Sequence, residues 1–504
     1  QTSGGWADCL LNIVRADDPH QHVCEVQLVH EDMLLVRTRL GGHEAYNSYR
    51  TADELLLVLD DKDVFAPVRW AVGMLKGLGM VTPRTPDLPR IGAGASRSAK
   101  TQAALKSAYS AVSNRLGGAT PSLIVAAYTC THDKNEIFEG LRTRCPDVPF
   151  VGVSSCQGVV AKGSWCSSKQ TGLGLWAISD DRGDYEVVPI QELGEDPDDA
   201  RQVIDARQSV AERVAAATTG RRTPSFVLCF SAFGFSEAVL EGVKDAVDEG
   251  VPVFGGTAAD NKVTGDWSLF SSEGGVSQNG AVLVLGWSSV EISCCMASGF
   301  MPTERNGVAT KVDGYWLKEI DDRPALTVYD EWTNGGVIVG LTTNSSGTTP
   351  ISGMSSWQPL GEPLDDANAQ FRVLHPMKAD SATGSLKLAG SVPPGTKLTL
   401  LKGEANSLVA NILETSERLA PKECLGAFMI LCGGLVMAME EEIEGVYEEL
   451  ANVVVRAEAL GMCAFGEQGP NCNRESMHGN LMFGVLMFSN KPVRPTQVPT
   501  REPS

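Results

Sequence analysis

The most constraining feature of this sequence is that it repeats itself. Pro121-Ser-Leu-Ile-Val runs into a helical stretch and then into Pro149-Phe-Val-Gly-Val-Ser-Ser. Pro224-Ser-Phe-Val-Leu runs into another and then into Pro252-Val-Phe-Gly-Gly-Thr-Ala. The offset is 224 − 121 = 103 at one end and 252 − 149 = 103 at the other. A looser third copy joins Ala427-Phe-Met-Ile-Leu-Cys432, an acidic helical stretch and Met462-Cys-Ala-Phe-Gly466-Glu467. One more apolar run follows each copy, at Leu173–Ile178, Ala281–Leu285 and Leu481–Met487. Self-similarity at a fixed spacing means one supersecondary unit used repeatedly. Here the unit reads strand, helix, strand, irregular loop, strand.

The helical stretches carry apolar residues on one face only. Leu240, Val243 and Val247 fall at i, i+3, i+7, and Ile443, Val446, Tyr447 and Leu450 repeat the pattern, with Glu441, Glu442, Glu444, Glu448 and Glu449 on the other face. Such helices cover sheets. A strand-helix-strand connection of this length is most simply a right-handed crossover between parallel strands, to which the following strand adds antiparallel. The expected fold class is therefore α/β, with layered mixed sheets flanked by helices and recurring strand-helix-strand-loop-strand units.

A chain of 504 residues is too long for one core. Prolines 83, 86 and 89, followed by Gly92 and Gly94, mark a joint over Thr82–Lys100. It separates a module at 1–82 from the rest, with 83–91 as linker. The GAGASRS within it lacks the preceding strand and glycine spacing of a phosphate loop, so it reads as linker. The N-terminal module carries strand-like Val23–Val29 and Met33–Arg39, then helix-like Thr51–Leu59 and Val68–Leu78. Residues 491–504, with prolines at 495, 499 and 503, read as a disordered tail.

Charge removes several partners. The chain has 42 Lys+Arg against 62 Asp+Glu, a net −20, and no basic run that would track phosphates. Nucleic acid is not an expected partner. The longest mainly apolar uncharged run, between Glu423 and Glu440, is too short to span a bilayer, so no membrane insertion is expected. Thirteen cysteines, an odd number without a C-x-x-C pair, read as reduced thiols in a cytoplasmic compartment, with no disulfide framework and no metal site. Nothing in the sequence calls for a cofactor. The chain starts Gln1-Thr2-Ser3 without a methionine, so its natural start can lie upstream.

In open α/β sheets ligands collect outside the carboxyl ends of the strands. The repeats place six loops there. After the first strands come Thr129-Cys130-Thr131-His132-Asp133, Ser231-Ala-Phe-Gly234 and Cys432-Gly433-Gly434. After the crossover strands come Ser154-Ser155-Cys156-Gln157, Gly255-Gly256-Thr257-Ala258-Ala259-Asp260-Asn261 and Gly466-Glu467-Gln468-Gly469. Small polar residues and glycines there would let a small ligand approach the backbone, although the same residues also make the turns that any crossover needs. The candidate ligand-binding residues are Thr129, His132, Ser154, Ser155, Gly255, Gly256, Thr257, Asp260, Asn261, Cys432, Gly466 and Glu467. Asp260 beside Asn261 is the preferred contact for a ligand amine or hydroxyl. Cys130 or Cys156 with His132 could be drawn as nucleophile and base, but cysteines are more often small buried hydrophobes, and no catalytic residue is assigned.

The run Gly94–Leu116, then His132-Asp133, Pro149-Phe-Val-Gly-Val-Ser-Ser and Val253-Phe-Gly-Gly-Thr-Ala-Ala-Asp260, resembles the N-terminal half of the FIST family, named for F-box and intracellular signal transduction proteins. Gly307–Tyr329 is similar to the passage joining that family's halves. Val392-Pro-Pro-Gly-Thr396, Gly461–Glu467 and Met477-His-Gly-Asn480 resemble its C-terminal half. The resemblance implies a FIST N-terminal domain over 92–315 and a FIST C-terminal domain over 316–490. It also implies a non-enzymatic module of a signal-transduction protein that senses a small-molecule ligand such as an amino acid. The family's late Cys-x-Gly-Arg pattern reads Cys432-Gly-Gly-Leu435 here, without the arginine that a ligand carboxylate would meet. A signalling or ubiquitin-ligase partner is the second implication, making the chain an interaction scaffold or substrate receptor. The leucine-rich Ala52–Leu59 with Trp70 lacks the Leu-Pro start of an F-box. A cysteine-dependent enzyme is the third reading.

Overall fold

The computed structural model describes residues 88–493 apart from 162–163, 340–347, 366–369, 405–406, 409, 411–423, 440–457 and 472, together with Cys9–Val14 and Val23–Leu28. The chain divides into two compact units, Gln1–Pro86 and Asp87–Ser504. In the first, Cys9–Val14 pairs antiparallel with Val23–Leu28. The elements expected at Met33–Arg39, Thr51–Leu59, Val68–Leu78 and Glu440–Glu449, and the tail from Arg494, lie outside the described residues.

In the second unit each of the three copies contributes to a mixed six-stranded sheet. The first copy runs through a lead strand Arg90–Ser96, helix Thr101–Leu116, first strand Leu123–Tyr128, helix Lys134–Arg144, crossover strand Phe150–Ser154, a hairpin of Val159–Ala161 with Ser164–Cys166, and a return strand Leu173–Ser179. First and crossover strands are parallel, and return and lead strands add antiparallel. The second copy repeats the order with Asp184–Ile190, helix Ala200–Thr218, Phe226–Ser231, helix Ser236–Ala246, Val253–Thr257, hairpin Leu269–Ser271 with Gly275–Ser277, and Ala281–Trp287. In the third the strands are Val290–Ala297, Cys424–Cys432, Glu458–Ala464, hairpin Glu467–Pro470 with Ser476–Gly479, and Phe483–Pro492.

No sheet keeps its own hairpin. The second copy's hairpin completes the first sheet, pairing Leu269 with Val153. The third copy's hairpin completes the second sheet, pairing Glu467 with Gly256. The first copy's hairpin completes the third, pairing Ala161 with Leu460. The exchange closes on itself, so the three copies form one cyclic assembly.

The strands read as unbroken apolar runs because both faces are covered. Leu123, Val125 and Ala127 turn into a central core with Leu228, Phe230, Phe428 and Ile430, to which all three sheets contribute. The alternate residues Ile124, Ala126 and Tyr128 pack under the first copy's helices. Trp176, Phe226, Phe428 and Phe488 meet at ring-centroid distances of 5.4–6.3 Å in the centre. Each such buried side chain contributes roughly 1.5–3 kcal/mol.

The unit boundary at Pro86/Asp87 falls within the expected 83–91 linker, but the reading of GAGASRS as linker is corrected. Arg90–Ser96 is a strand rather than a joint, paired along its whole length with Leu173–Ser179. Its glycines serve packing: a Cβ on Gly92 would lie 2.8 Å from the Val112 carbonyl oxygen, and one on Gly94 2.6 Å from that of Ala108. Both sit on the face where helix Thr101–Leu116 lies flat against the strand.

Between the third copy's lead and first strands the chain inserts a nine-stranded sheet, starting with Met301–Asp313 and including Lys397–Lys402. It has its own core around Leu317, Tyr329, Leu386 and Leu398. It also docks on the second copy. Arg372 Nε donates to Glu362 at 2.6 Å, Nη1 to Glu237 at 3.4 Å and Nη2 to the Ser391 carbonyl at 2.7 Å. The Ser391 N–H donates to Glu237 Oε1 at 3.0 Å, and Tyr315 donates to the Gly234 carbonyl at 3.1 Å. The insert thereby covers the start of helix Ser236–Ala246.

Candidate functional site

The crossover-strand ends do converge, and they first bond to one another. The Cys156 N–H donates to the Cys463 carbonyl at 2.9 Å, Phe465 N–H to Thr257 at 3.1 Å, and Ala259 N–H to Ser154 at 3.0 Å. Donors and acceptors are equivalent positions: 259 − 156 and 257 − 154 both give the repeat offset of 103, while 465 − 259 and 463 − 257 both give 206 because the third copy carries the insert. The result is a closed ring of three backbone hydrogen bonds around a pseudo-threefold axis.

Several sequence-predicted residues are committed to holding this centre together. Ser154 Oγ accepts the Ser268 N–H at 2.9 Å. Ser155 Oγ accepts from Cys463 N–H at 2.8 Å and donates to the Gly158 carbonyl at 2.6 Å. Thr129 Oγ1 accepts the Gly172 N–H at 3.1 Å. Gly255 lies against the neighbouring strand, where a Cβ would sit 1.7 Å from the Cys229 carbonyl oxygen, and a Cβ on Gly256 would meet Ala464 at 2.7 Å.

Asp260 turns inward on its own loop. Its carboxylate accepts the N–H groups of Lys262, Thr264, Gly265 and Asp266 at 2.8–2.9 Å. Partial burial works to raise its pKa, but these four donors outweigh that and hold the carboxyl below the usual range. Asn261 accepts the Gln157 N–H at 2.6 Å and donates to the Gln170 carbonyl at 3.0 Å. Gln157 and Gln170 both hold positive φ, 64° and 60°, so Asn261 clamps two left-handed turns of the first copy. His132 is buried, its Nδ1 lies 3.3 Å from Thr101 Oγ1, and its Nε2 has no hydrogen-bond partner. Burial pushes its pKa down.

Thr257 of the second copy and Cys432, Gly466 and Glu467 of the third lie near the edge of the second sheet that the third copy's hairpin completes. Gly466 has φ 131°, and a Cβ there would lie 2.5 Å from His478 Cε1. Thr257 Oγ1 lies 2.6 Å from Ser236 Oγ, which accepts from Ser231 at 3.0 Å. Gln468 Nε2 reaches Thr257 Oγ1 at 3.5 Å and His478 Nδ1 at 3.2 Å. His478 is buried, with its pKa lowered by that burial, and its ring also bonds the Ala389 carbonyl. A neutral ring that donates to Ala389 leaves Nδ1 as an acceptor. That assignment turns the Gln468 amide nitrogen toward the histidine and leaves Oε1, fully buried, without a partner.

Glu467 faces the other side of its strand. Oε2 accepts the Met482 N–H at 3.0 Å, Oε1 lacks a protein donor, and the Cys432 thiol lies beside the carboxyl. Burial pushes the Glu467 carboxyl up to about 8, and burial and then Glu467 push the Cys432 thiol well above its ordinary range. The carboxyl is therefore neutral at pH 7. Because the folded state keeps a proton that the unfolded chain releases above about pH 4.5, stability declines from there until the folded carboxyl ionises near 8. Glu467→Gln should remove this decline and unfold later in denaturant than the parent at pH 8.5, by several kcal/mol. Denaturant titrations from pH 5 to 9 check it; a variant with undiminished pH dependence would contradict the assignment.

Residue types alone did not single out Gln468, His478, Ser236, Arg372 or the aromatic residues Phe233, Trp267 and Phe465. A glutamine and a histidine directly opposite each other in a buried hairpin were the available signal.

Fold and site together define a three-repeat α/β protein whose strand-end loops meet at one buried polar centre. It belongs to the FIST family: the FIST N domain matches residues 122–323 and the FIST C domain matches residues 325–470. Among solved structures, cyanuric acid hydrolase from A. caulinodans is 8% identical over 81% of this chain and 100% of that one, with a TM-score of 0.32. PurLQS from Thermotoga maritima is 12% identical over 81% of this chain and 75% of that one, with a TM-score of 0.20. No curated protein matches the chain. Among the described residues no helix is long and apolar enough to cross a membrane.

Proposed function

We propose that this chain is a non-enzymatic small-ligand sensing module of a signal-transduction protein, with its ligand held beside Thr257, Gln468 and His478. The observation that carries the reading is Gln468 Oε1. In a centre where the neighbouring hydroxyls and backbone groups are paired, this buried acceptor has no donor. Such a group costs about 1–3 kcal/mol, so a ligand that brings a hydrogen-bond donor to it would gain that much on binding. Membership of the FIST family supports the same reading. Turnover has less support. Burial pushes the Cys130 and Cys432 thiols up, and Cys156 well above its ordinary value, the opposite of an activated nucleophile.

A thermal-shift screen over a broad metabolite library tests the proposal. A ligand at 100-fold its dissociation constant is expected to add about 2.7 kcal/mol of stability. Gln468→Leu should abolish that shift. No shift with any compound, together with a protein that co-purifies stoichiometrically, would replace the sensor with the interaction scaffold. Conversion of a library compound would replace it with an enzyme.

A further inference from the structure

Three aromatic side chains stand half-buried where the strand-end loops meet. Phe233 follows the second copy's first strand, Trp267 precedes its hairpin, and Phe465 follows the third copy's crossover strand. The Phe233 ring lies 5.6 Å from that of Trp267, tilted by 41°, and 6.3 Å from that of Phe465, edge to face at 88°. Turn-forming loops need small and polar residues, and three rings gathered from three separate loops serve no turn. They leave apolar, π-rich surface partly open at the end of the sheet where ligands enter.

Thr257 links this surface to the unpaired acceptor. The Phe465 N–H bonds the Thr257 carbonyl at 3.1 Å, and the Thr257 hydroxyl receives Gln468 Nε2 at 3.5 Å. Phe233 sits three residues before Ser236, whose hydroxyl lies 2.6 Å from the same threonine. Among the described residues no free cation is seen at the site. Arg372 is engaged by Glu362, Glu237 and Ser391, and burial lowers the pKa of His478. The unmet demand at the buried end is for a hydrogen-bond donor, and an anion would find no partner there.

Resting on the small-ligand reading, we propose that the site takes a planar, ring-bearing ligand with an N–H donor, its ring on the Phe233–Trp267–Phe465 surface and its N–H on Gln468 Oε1. Three fragments separate the two requirements. Benzamide has the ring and the N–H, cyclohexanecarboxamide keeps the N–H without the π-face, and N,N-dimethylbenzamide keeps the ring without the N–H. Ligand-observed NMR titration of the full chain should show benzamide binding about tenfold tighter than either control. Phe233→Leu, at a half-buried position, should bring benzamide and cyclohexanecarboxamide to within about twofold of each other while leaving the preference over N,N-dimethylbenzamide. Gln468→Leu should do the reverse.

Equal binding of benzamide and cyclohexanecarboxamide to the parent overturns the ring requirement, and equal binding of benzamide and N,N-dimethylbenzamide overturns the donor requirement. Absence of binding by all three up to their solubility limits overturns the proposal as a whole. Either failure leaves the small-ligand reading to the metabolite screen, whose hits would then be non-planar or lack an N–H. If Gln468→Leu does not fold, the Phe233→Leu comparison alone still decides the ring.

Discussion

Split after Pro324, between the two family-matched regions, the chain is expected to give two fragments that do not fold alone and that recover a native state only together. The hairpin exchange dictates this. A fragment ending at Pro324 holds the first sheet, but its second sheet lacks the Glu467–Pro470 and Ser476–Gly479 hairpin, and its Val290–Ala297 strand has lost its partner Phe483–Pro492. The complementary fragment lacks the Val159–Cys166 hairpin that finishes its sheet, and Met301–Asp313, which pairs with Lys397–Lys402. Both also expose the central core to which all three sheets contribute. Domains are stable by only about 5–15 kcal/mol, less than the burial each fragment would forgo. Separate expression should give insoluble material or chains without a cooperative thermal transition, and co-expression a soluble complex that unfolds cooperatively. A soluble, cooperatively unfolding fragment from residue 88 to Pro324 would show that the exchange is dispensable.

Gly255→Ala should be the most damaging methyl group that can be added to the crossover strands. Its Cβ would lie 1.7 Å from the carbonyl oxygen and 2.5 Å from the carbonyl carbon of Cys229, in the parallel ladder itself. No flexible side chain is there to yield, so either the ladder opens or the strand shifts, and the expected loss exceeds about 4 kcal/mol. Gly353→Ala is the matched control. It has nothing within 4 Å of the added Cβ and sits in the short helix Ser352–Ser355, so its effect should lie within about 1 kcal/mol of zero or be stabilising. Chemical denaturation of both variants measures the contrast. A Gly255→Ala protein as stable as its parent would return that glycine to the ligand, where the sequence pattern had placed it.

Much of the architecture was legible because periodicity records burial. The offset of 103 and the apolar run Ala427–Cys432 predicted recurring strand-helix-strand units in mixed sheets, and three six-stranded mixed sheets carry them. The hairpin exchange was not legible. Glu467–Pro470 and Leu269–Ser271 carry nothing local that names a partner sheet, since backbone ladders accept any strand of suitable register. The linker reading at Arg90–Ser96 failed because glycines chosen for close helix contact look the same, in one sequence, as glycines chosen for a turn.

The site was partly legible for the same reason. The three crossover-strand loops bond to one another, and Thr257 and Gly466 lie beside Gln468 and His478. Asp260, preferred as a ligand contact, instead accepts four backbone N–H groups of its own loop, a role that small polar loop residues share with ligand contacts. Gln468 and Phe233 acquire meaning only from what the third dimension leaves unpaired or uncovered.

The cyclic exchange also sets a timetable for synthesis. The crossover strand Val253–Thr257 emerges from the ribosome with its parallel partner already made, yet its other edge waits for Glu467–Pro470, more than two hundred residues later. The first sheet, by contrast, is closed as soon as Leu269–Ser277 appears. Throughout that interval the second sheet presents an open strand edge, the surface most prone to pairing with another chain. A nascent chain of this protein is therefore most exposed to aggregation while its inserted sheet is being translated, and it becomes self-protected only when its last hairpin and the strand Phe483–Pro492 have arrived.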